Sequence, residues 1–219
     1  PTYGQSIVSY TGTGSAATVG HGLDSAPEMI ITKSRTTTDH WIVQLPNELS
    51  TDYGLRLQST GAEQNDSGNI DDPTSTVITL PSSWGGNNTS SATYIAYCWH
   101  SVTGYSKFGS YTGNGSATGT VVTTGFSPAF VMIKVADRTD GGNGGWFMYD
   151  NTRSPYTAQN HALMAQSSAA ELVDNSNVAI DFLSTGFQLK ASYDEINVNG
   201  GTYIYMAFAD KREYAYWLD

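Results

Sequence analysis

The feature that most constrains this chain is an internal repeat. Residues 9–33 and 110–134 align without a gap at an offset of 101 positions, and nine of the twenty-five aligned residues are identical. Most identities fall in the strings SYTGTGSA and SYTGNGSA, which open the two copies, and Pro27 then aligns with Pro128. A repeat unit of about one hundred residues has the size of a small domain, so the sequence predicts two copies of one domain rather than a solenoid.

The similarity returns near the end of each copy, where Thr-Tyr-Ile opens an aromatic-rich run at residues 93–95 and again at 202–204. This spacing places the boundary near Gly104 and predicts one module over residues 1–104 and a second over 105–219. We expect an all-β chain made of two tandem β-sandwich modules that are jelly-roll-like. The alternative architecture is one large jelly roll of the lectin type.

The local pattern agrees with sandwiches, because most apolar runs are four to eight residues long and are bounded by Gly, Asn, Ser, Asp or Pro. One segment, residues 164–172, has the composition of a short helix. The predicted strands cover residues 5–11, 16–20, 28–34, 40–45, 54–58, 76–80, 92–100, 106–112, 118–124, 129–135, 145–150, 178–183, 186–190 and 202–209.

The charge of the chain argues against two classes of partner. Ten Lys and Arg residues oppose twenty Asp and Glu residues, which gives a formal net charge of −10, and the basic residues do not cluster. Nucleic acids and anionic membrane surfaces are recognised by clustered Lys and Arg, so we expect neither as a partner. Membrane insertion is not expected, because no apolar stretch approaches the ~20 residues of a membrane-spanning helix.

The residues that usually carry catalysis or bind metals are sparse. Cys98 is the single cysteine, which excludes an intramolecular disulfide, and its apolar surroundings predict a buried side chain. The four histidines lack the spacing of metal ligands. We therefore predict no catalytic residues, no metal site and no cofactor. The acidic loops at 66–72 and 137–143 leave a structural Ca²⁺ ion as the alternative.

Exposed aromatic residues in polar loops are the best candidates for ligand contact, since an aromatic ring stacks on sugars and docks on proteins. Trp84 stands out because its loop, residues 81–88, holds no other apolar side chain; the alternative is that Trp84 folds back as a lid on its own sandwich. The candidate ligand-binding residues are Trp84, Asn87, Asn88, Arg153, Tyr156 and Tyr193.

Several long strings resemble a known family. They are GYSKFGSYTGNGS at 104–116, TVGHGL at 18–23, TYIAYC at 93–98, DFLSTGF at 181–187 and GTYIYMAFA at 201–209. Together they resemble the tandem-repeat modules of tail-fibre-like virion proteins of bacteriophages, notably those of marine cyanobacteria and other marine bacteria. The resemblance covers nearly the whole chain and is weakest in the loops at 61–73 and 82–92.

The resemblance implies a non-enzymatic virion structural protein, a tail-fibre or receptor-binding component that attaches the phage to a host surface glycan or protein. It implies contact with other virion subunits, assembly as a homo-oligomer such as a trimer, folding in the bacterial cytoplasm and a final location on the extracellular virion surface. Three alternatives remain open: a carbohydrate-binding or adhesin module of a bacterial surface protein, a purely structural fibre or head-decoration module, and a glycan depolymerase.

Overall fold

The computed structural model describes residues 3–49, 52–65, 70, 73–82, 86–137, 144–153 and 159–209. The chain forms two compact units, Pro1–Ser101 and Val102–Asp219, called unit 1 and unit 2 below. The division falls three residues before the boundary that the repeat predicts.

Unit 1 is built of two antiparallel sheets. The larger sheet has the strand order β1-β8-β3-β4-β5-β6, and β2 and β7 pair to form the second. The strands are β1 Gln5–Thr11, β2 Ala17–Gly20, β3 Met29–Ser34, β4 Trp41–Gln44, β5 Tyr53–Arg56, β6 Gln64–Asn65, β7 Val77–Leu80 and β8 Thr93–Trp99.

Unit 2 repeats this arrangement with one strand more in its smaller sheet and one strand fewer in its larger sheet, which lacks a counterpart of β6 among the described residues. The larger sheet has the order β13-β12-β11-β16-β9, and the smaller one has the order β10-β15-β14. The elements are β9 Ser106–Thr112, β10 Val121–Thr123, β11 Pro128–Val135, β12 Phe147–Asp150, β13 Leu163–Met164, a 3₁₀ turn Ser176–Val178, β14 Ile180–Leu183, β15 Gly186–Leu189, the one-turn helix α1 Asp194–Asn197 and β16 Thr202–Ala209.

The two units share their topology and their strand register. Tyr10 on β1 lies opposite Tyr94 on β8, and the equivalent Tyr111 on β9 lies opposite Tyr203 on β16. Every predicted strand has a counterpart in the structure, and the short strands β6 and β13 were not predicted. The chain is therefore all-β, with antiparallel sheets packed as sandwiches, and one large jelly roll was the wrong alternative.

Each core lies between the two sheets of its own unit. In unit 2, Phe187 of the smaller sheet makes edge-to-face contacts with Tyr111 and Tyr205 of the larger one, at centroid distances of 6.2 and 5.5 Å. In unit 1, Ile78 of the smaller sheet and Cys98 of the larger one belong to one buried cluster. Side chains that alternate along each strand supply this core, because successive residues point to opposite faces of a sheet.

The prediction that Cys98 is a buried apolar residue is confirmed, since its side chain is fully buried. Burial raises the pKa of the Cys98 thiol to about 12, so the thiol stays protonated at neutral pH. It contributes packing to the core, where a thiol behaves as a small apolar group.

The helix considered for residues 164–172 does not form. Ala162 and Leu172 exchange two backbone hydrogen bonds of 3.0 and 2.9 Å, which close the segment into a loop that follows β13. Within the loop the Ser167 hydroxyl accepts from the Ala169 backbone N–H. Short isolated helices are unstable, and a serine that bonds to nearby backbone favours a turn. Among the described residues no helix has the length and apolarity needed to cross a membrane.

A buried asparagine side chain connects two distant loops in each unit. In unit 1 the Asn88 amide donates to the backbone oxygens of Ser15 and Pro81 at 2.8 and 2.6 Å, and its oxygen accepts from the Thr13 N–H at 2.9 Å. Asn88 is fully buried, so these bonds replace the water that the amide would otherwise bind. They tie the SYTGTGS turn after β1 to the loop between β7 and β8.

Unit 2 contains the same arrangement around Asn197, which is also fully buried. Its amide nitrogen donates to the backbone oxygens of Ser116 and Ala191 at 2.8 and 2.9 Å, and its oxygen accepts from the Asn114 N–H at 2.9 Å. Asn114 and Ser116, which bond to Asn197, are offset by 101 positions from Thr13 and Ser15 of unit 1. Asn197 itself is offset by 109 positions from Asn88. The extra eight residues of unit 2 therefore leave this contact intact.

A stacked tyrosine pair supports each asparagine. The Tyr10 and Tyr94 rings lie 5.2 Å apart, and the Tyr111 and Tyr203 rings lie 5.0 Å apart. The Tyr10 hydroxyl donates to the backbone oxygen of Asn87, and the Tyr111 hydroxyl donates to that of Ile196. Burial raises the pKa of Tyr10 and of Tyr111, so both hydroxyls keep the proton that they donate.

The first glycine of each SYTGxGS turn is required by the close approach of the opposite loop. A Cβ atom on Gly12 would lie 2.3 Å from the Thr89 carbonyl oxygen, and one on Gly113 would lie 2.2 Å from that of Val198. The repeated glycine motif therefore allows two backbones to touch.

We expect Asn88→Ala to destabilise unit 1 and Asn197→Ala to destabilise unit 2, each by about 2–4 kcal/mol, because several buried polar groups lose their partners together. Urea denaturation with peptide-resolved hydrogen exchange measures the change in each unit. Asn199→Ala is the matched control, since Asn199 is exposed. A loss equal to that of the control would contradict the role given to the buried amides.

We expect Gly12→Ala to destabilise unit 1 by about 1–3 kcal/mol, because the added methyl group overlaps a backbone oxygen. Gly20→Ala serves as the control, since its Cβ would lie 3.8 Å from the nearest atom, the Thr76 oxygen, which is ordinary contact. Thermal melting of both variants tests the comparison. Equal melting temperatures would show that the turn at Gly12 and the loop at Thr89 can move apart without a loss of stability.

Candidate functional site

The loop between β15 and β16 of unit 2 is held by hydrogen bonds to its backbone. The carbonyl oxygen of Ala191 accepts from the Asn197 side chain at 2.9 Å, and that of Asp194 accepts from the Tyr203 hydroxyl at 2.5 Å. The Tyr193 carbonyl accepts from the backbone N–H of Asn197 at 2.9 Å. The backbone of residues 191–197 is therefore fixed from the inside of the sandwich.

Three successive side chains of the same loop point outward. Ser192, Tyr193 and Asp194 are exposed, and Tyr193 retains 43% of its accessible surface. Ala191, Ile196 and Asn197 are buried instead, and they anchor the loop to the sandwich. Loops that a rigid sheet scaffold positions in this way commonly carry binding residues.

An open cleft of about 370 Å³ lies beside Tyr193. This volume is within the ~300–1,000 Å³ range of small-ligand sites, near its lower end. The 3₁₀ turn Ser176–Val178 contributes to the lining of the same cleft, and its start is capped by the Asn175 side chain accepting from the Asn177 N–H at 3.0 Å. The lining residues are Ala117, Ser176, Asn177, Lys190, Ala191, Ser192, Tyr193 and Asp194.

The segment after this turn and the start of the Tyr193 loop are joined by a backbone hydrogen bond of 2.9 Å from the Lys190 N–H to the Ala179 oxygen. The Lys190 ammonium group lies 3.4 Å from an Asp181 oxygen, and both side chains are partly exposed. Among the lining residues, Lys190 and Asp194 bring one charge of each sign. The cleft therefore offers hydrogen-bond donors and acceptors around one aromatic ring, without a surplus of charge among its lining groups.

The corresponding loop of unit 1 lies between β7 and β8, and Asn88 fixes it through the Pro81 oxygen. In the sequence Trp84 stands four residues before Asn88, just as Tyr193 stands four residues before Asn197. Trp84 lies outside the described residues, so its role as a ligand-contacting residue or as a lid stays a prediction. The repeat nevertheless assigns both aromatic residues to equivalent loops.

The structure corrects the prediction for Asn87 and Asn88. Both residues are fully buried, and the Asn88 side chain bonds to backbone atoms of its own unit. Neither side chain is presented to a ligand. Asn next to Gly and Ser suggests an exposed loop in the sequence, but a buried amide can close distant turns because it donates and accepts at once.

Arg153 is engaged within unit 2. Its guanidinium group forms ion pairs with Asp150 and Glu171 and donates to the Met148 oxygen at 3.0 Å. The side chain is 24% exposed, so little of the group remains for a ligand. Tyr156 lies outside the described residues and stays a prediction.

The pKa of Asp150 reflects this network. Burial alone would raise it, but the backbone N–H and guanidinium group of Arg153 hold the pKa of the Asp150 carboxyl below its usual value. The ion pair therefore stabilises unit 2 at neutral pH, and this contribution is lost as the pH falls below about 4.

The structural role of Asn88 and Asn197 was not predicted from the sequence. Two glutamines with equivalent roles in the two units were also missed. The Gln58 side-chain oxygen accepts from the Trp41 N–H at 3.0 Å, and the Gln166 oxygen accepts from the Trp146 N–H at 2.8 Å. Only a gapped comparison of the two copies pairs these residues, and the glutamines stand in dissimilar segments.

Metal-ligating residues do not converge in the part of the chain that the structure describes, where no group of three His, Cys, Asp or Glu side chains could hold an ion. The acidic loops proposed for Ca²⁺ fall largely outside this part. Asp137 is described, and its carboxylate accepts from the Thr202 N–H at 3.1 and 3.0 Å. His21 is buried, where its Nε2 donates to Thr74 and its Nδ1 accepts from Leu23.

We expect Asp150→Asn to lower the free energy of unfolding of unit 2 at pH 7 by about 1 kcal/mol or less, because solvent screens a partly exposed ion pair. The difference should shrink progressively as the pH is lowered below about 4, because the wild-type carboxyl then begins to take up a proton. Urea denaturation over a series of pH values measures it, with Asp174→Asn as the control, since that carboxylate is 81% exposed. A difference that does not change with pH would show that the charge of Asp150 does not contribute to the stability of unit 2.

Comparison with known proteins adds one family. The chain matches no curated protein. It also matches no solved structure. A family model described as a domain of unknown function, DUF7483, matches residues 1–212. One model spans both units, so the pair of sandwiches is the unit that this family shares, and the chain belongs to the DUF7483 family.

Proposed function

We propose that this chain is a non-enzymatic virion protein of a bacteriophage, a tail-fibre or receptor-binding component that attaches the particle to the surface of its host. The class of protein follows from the resemblance of its repeated strings to tail-fibre-like modules. One structural observation carries the attachment function: the fixed loop of unit 2 presents the exposed Tyr193 at the edge of an open polar cleft.

The geometry suits recognition because the loop is ordered before a ligand arrives. Hydrogen bonds from Asn197 and Tyr203 already hold its carbonyl groups. Ordering a flexible loop on binding opposes association, and a preorganised loop avoids that loss. Tyrosine is also suited to contact, since it offers a large rigid surface with only two side-chain torsions.

A shallow cleft of this size supports modest affinity at a single site. Fibres present many copies of a binding module, and linked sites raise the overall affinity by orders of magnitude without new contacts. Attachment by this chain therefore rests on assembly as a homo-oligomer, such as a trimer, with other virion subunits holding it at the virion surface. Folding would precede assembly, in the host cytoplasm.

A structural fibre or head-decoration module is the second candidate, and one observation favours it. The buried asparagine, the stacked tyrosines and the close-packed glycine recur in both units. A framework repeated in this way suits a spacer that extends or supports another binding tip. A carbohydrate-binding or adhesin module of a bacterial surface protein would use the same loop as the first proposal.

The test is the binding of the fluorescently labelled chain, clustered on streptavidin, to a panel of marine bacteria and cyanobacteria. We expect saturable binding to at least one strain and a loss of about tenfold or more in Tyr193→Ala, which corresponds to about 1.4 kcal/mol. Trp84→Ala tests the equivalent loop of unit 1.

Tyr3→Ala is the matched control, because Tyr3 is 64% exposed and does not line the cleft. Equal binding by Tyr193→Ala and the control would contradict attachment through this loop. Failure of the wild-type chain to bind any strain would favour the structural candidate.

A further inference from the structure

The chemistry of the cleft beside Tyr193 narrows the class of ligand. Tyr193 is 43% exposed, and the other described lining side chains are hydroxyl, amide, methyl, ammonium and carboxylate groups. An aromatic ring beside hydrogen-bonding groups fits a ligand that is apolar on one face and polar at its rim. A pyranose ring has this character, since its axial C–H groups form a face and its hydroxyl groups form the edge.

The charges in and around the cleft select against an anionic ligand. Lys190 is the cationic lining residue among those described, and the Asp181 carboxylate lies 3.4 Å from its ammonium group. Asp194 places a carboxylate among the lining groups, and the whole chain carries a formal charge of −10. An acidic sugar or a sulfated polymer would meet net repulsion, both locally and at long range.

A neutral ring with many hydroxyl groups can form hydrogen bonds with both the cationic and the anionic group of the cleft. A hydroxyl group can donate to the Asp194 carboxylate and accept from the Lys190 ammonium group, whereas a carboxylate or sulfate can only accept. Ser192, Ser176 and Asn177 add groups that donate and accept. These lining groups therefore match the hydroxyl-bearing edge of a sugar ring.

Backbone hydrogen bonds hold the conformation of this loop without help from the Tyr193 side chain. The Tyr193 carbonyl accepts from the backbone N–H groups of Ile196 and Asn197 at 3.2 and 2.9 Å, and these bonds survive substitution of the ring. The ring can therefore be changed without unfolding the loop, which makes its contribution to binding measurable.

We propose that the cleft lined by the 3₁₀ turn Ser176–Val178 and residues 190–194 binds a neutral pyranose unit of a surface glycan, with the ring stacked on Tyr193. This inference rests on the proposed attachment function and names the chemistry of its receptor. Lys190 and Asp194 orient the hydroxyl groups of the sugar, and the walls select a ring-sized group. The open side of the cleft leaves room for the rest of a glycan chain.

Saturation-transfer-difference NMR on the full chain tests the class of ligand. The probes are the methyl glycosides of glucose, galactose, mannose and N-acetylglucosamine, compared with glucuronic acid and N-acetylneuraminic acid. We expect saturation transfer to at least one neutral glycoside at millimolar concentration, transfer to neither acid, and a preference for the C–H face of the ring.

Substitutions separate stacking from hydrogen bonding. Tyr193→Ala should weaken binding of that glycoside by about tenfold or more, while Tyr193→Phe should keep it within about threefold because the ring is retained. Lys190→Gln should weaken binding without creating affinity for acids. Tyr3→Ala is the control for a general loss of an exposed tyrosine, and thermal melting confirms that each variant is folded.

The outcomes distinguish this inference from the attachment function. Binding of the acids alone, binding of no saccharide, or neutral binding unchanged in Tyr193→Ala would overturn the inference. If cell binding is still lost in Tyr193→Ala under those outcomes, the attachment function stands and its receptor has another chemistry, such as a protein. If cell binding is absent while a neutral glycoside binds at Tyr193, the inference stands and the attachment function fails.

Discussion

A buried primary amide has to bond through its oxygen and its N–H groups, and in each unit this requirement joins two loops. Asn88 and Asn197 are fully buried, and each links the glycine-containing turn after the first strand to the loop before the last strand. The close approach at Gly12 and Gly113 and the stacked tyrosines depend on this junction. Removing the amide would leave buried donors and acceptors without partners, which costs more than the bonds themselves contribute.

The same junction links the interior of unit 2 to its outer surface. Because buried side chains hold the carbonyl groups of residues 191–197, the side chains of Ser192, Tyr193 and Asp194 are left to solvent. The buried residues Asn197 and Tyr203 therefore also order the exposed loop. Unit 1 places Trp84 in the equivalent loop by sequence, so the repeat offers Trp84 as a second candidate for ligand contact.

Much of the fold could be predicted from the sequence, and less of the site. The repeat at an offset of 101 residues predicted two modules, and short apolar runs between turn residues predicted their strands. These signals are local, because strand periodicity and turn chemistry act over a few residues. The loop at 164–172 was mistaken for a helix because its closing contact joins Ala162 to Leu172 across the segment. Tyr193 was found by its polar neighbourhood, but the 3₁₀ turn that lines the same cleft comes from a different part of the chain.

The sequence by itself determined that this is a repeated β protein with polar loops, no basic cluster and a single cysteine. Only the tertiary structure decided which polar residues are buried and which are presented. Asn88 and Arg153 looked like surface residues, yet one is enclosed by backbone and the other is paired with two carboxylates. The physical reason is the range of the interactions. An asparagine is equally suited to water or to a buried backbone. Two of the partners of Asn88, Thr13 and Ser15, lie more than seventy residues away in the chain, a distance at which no local sequence pattern carries information.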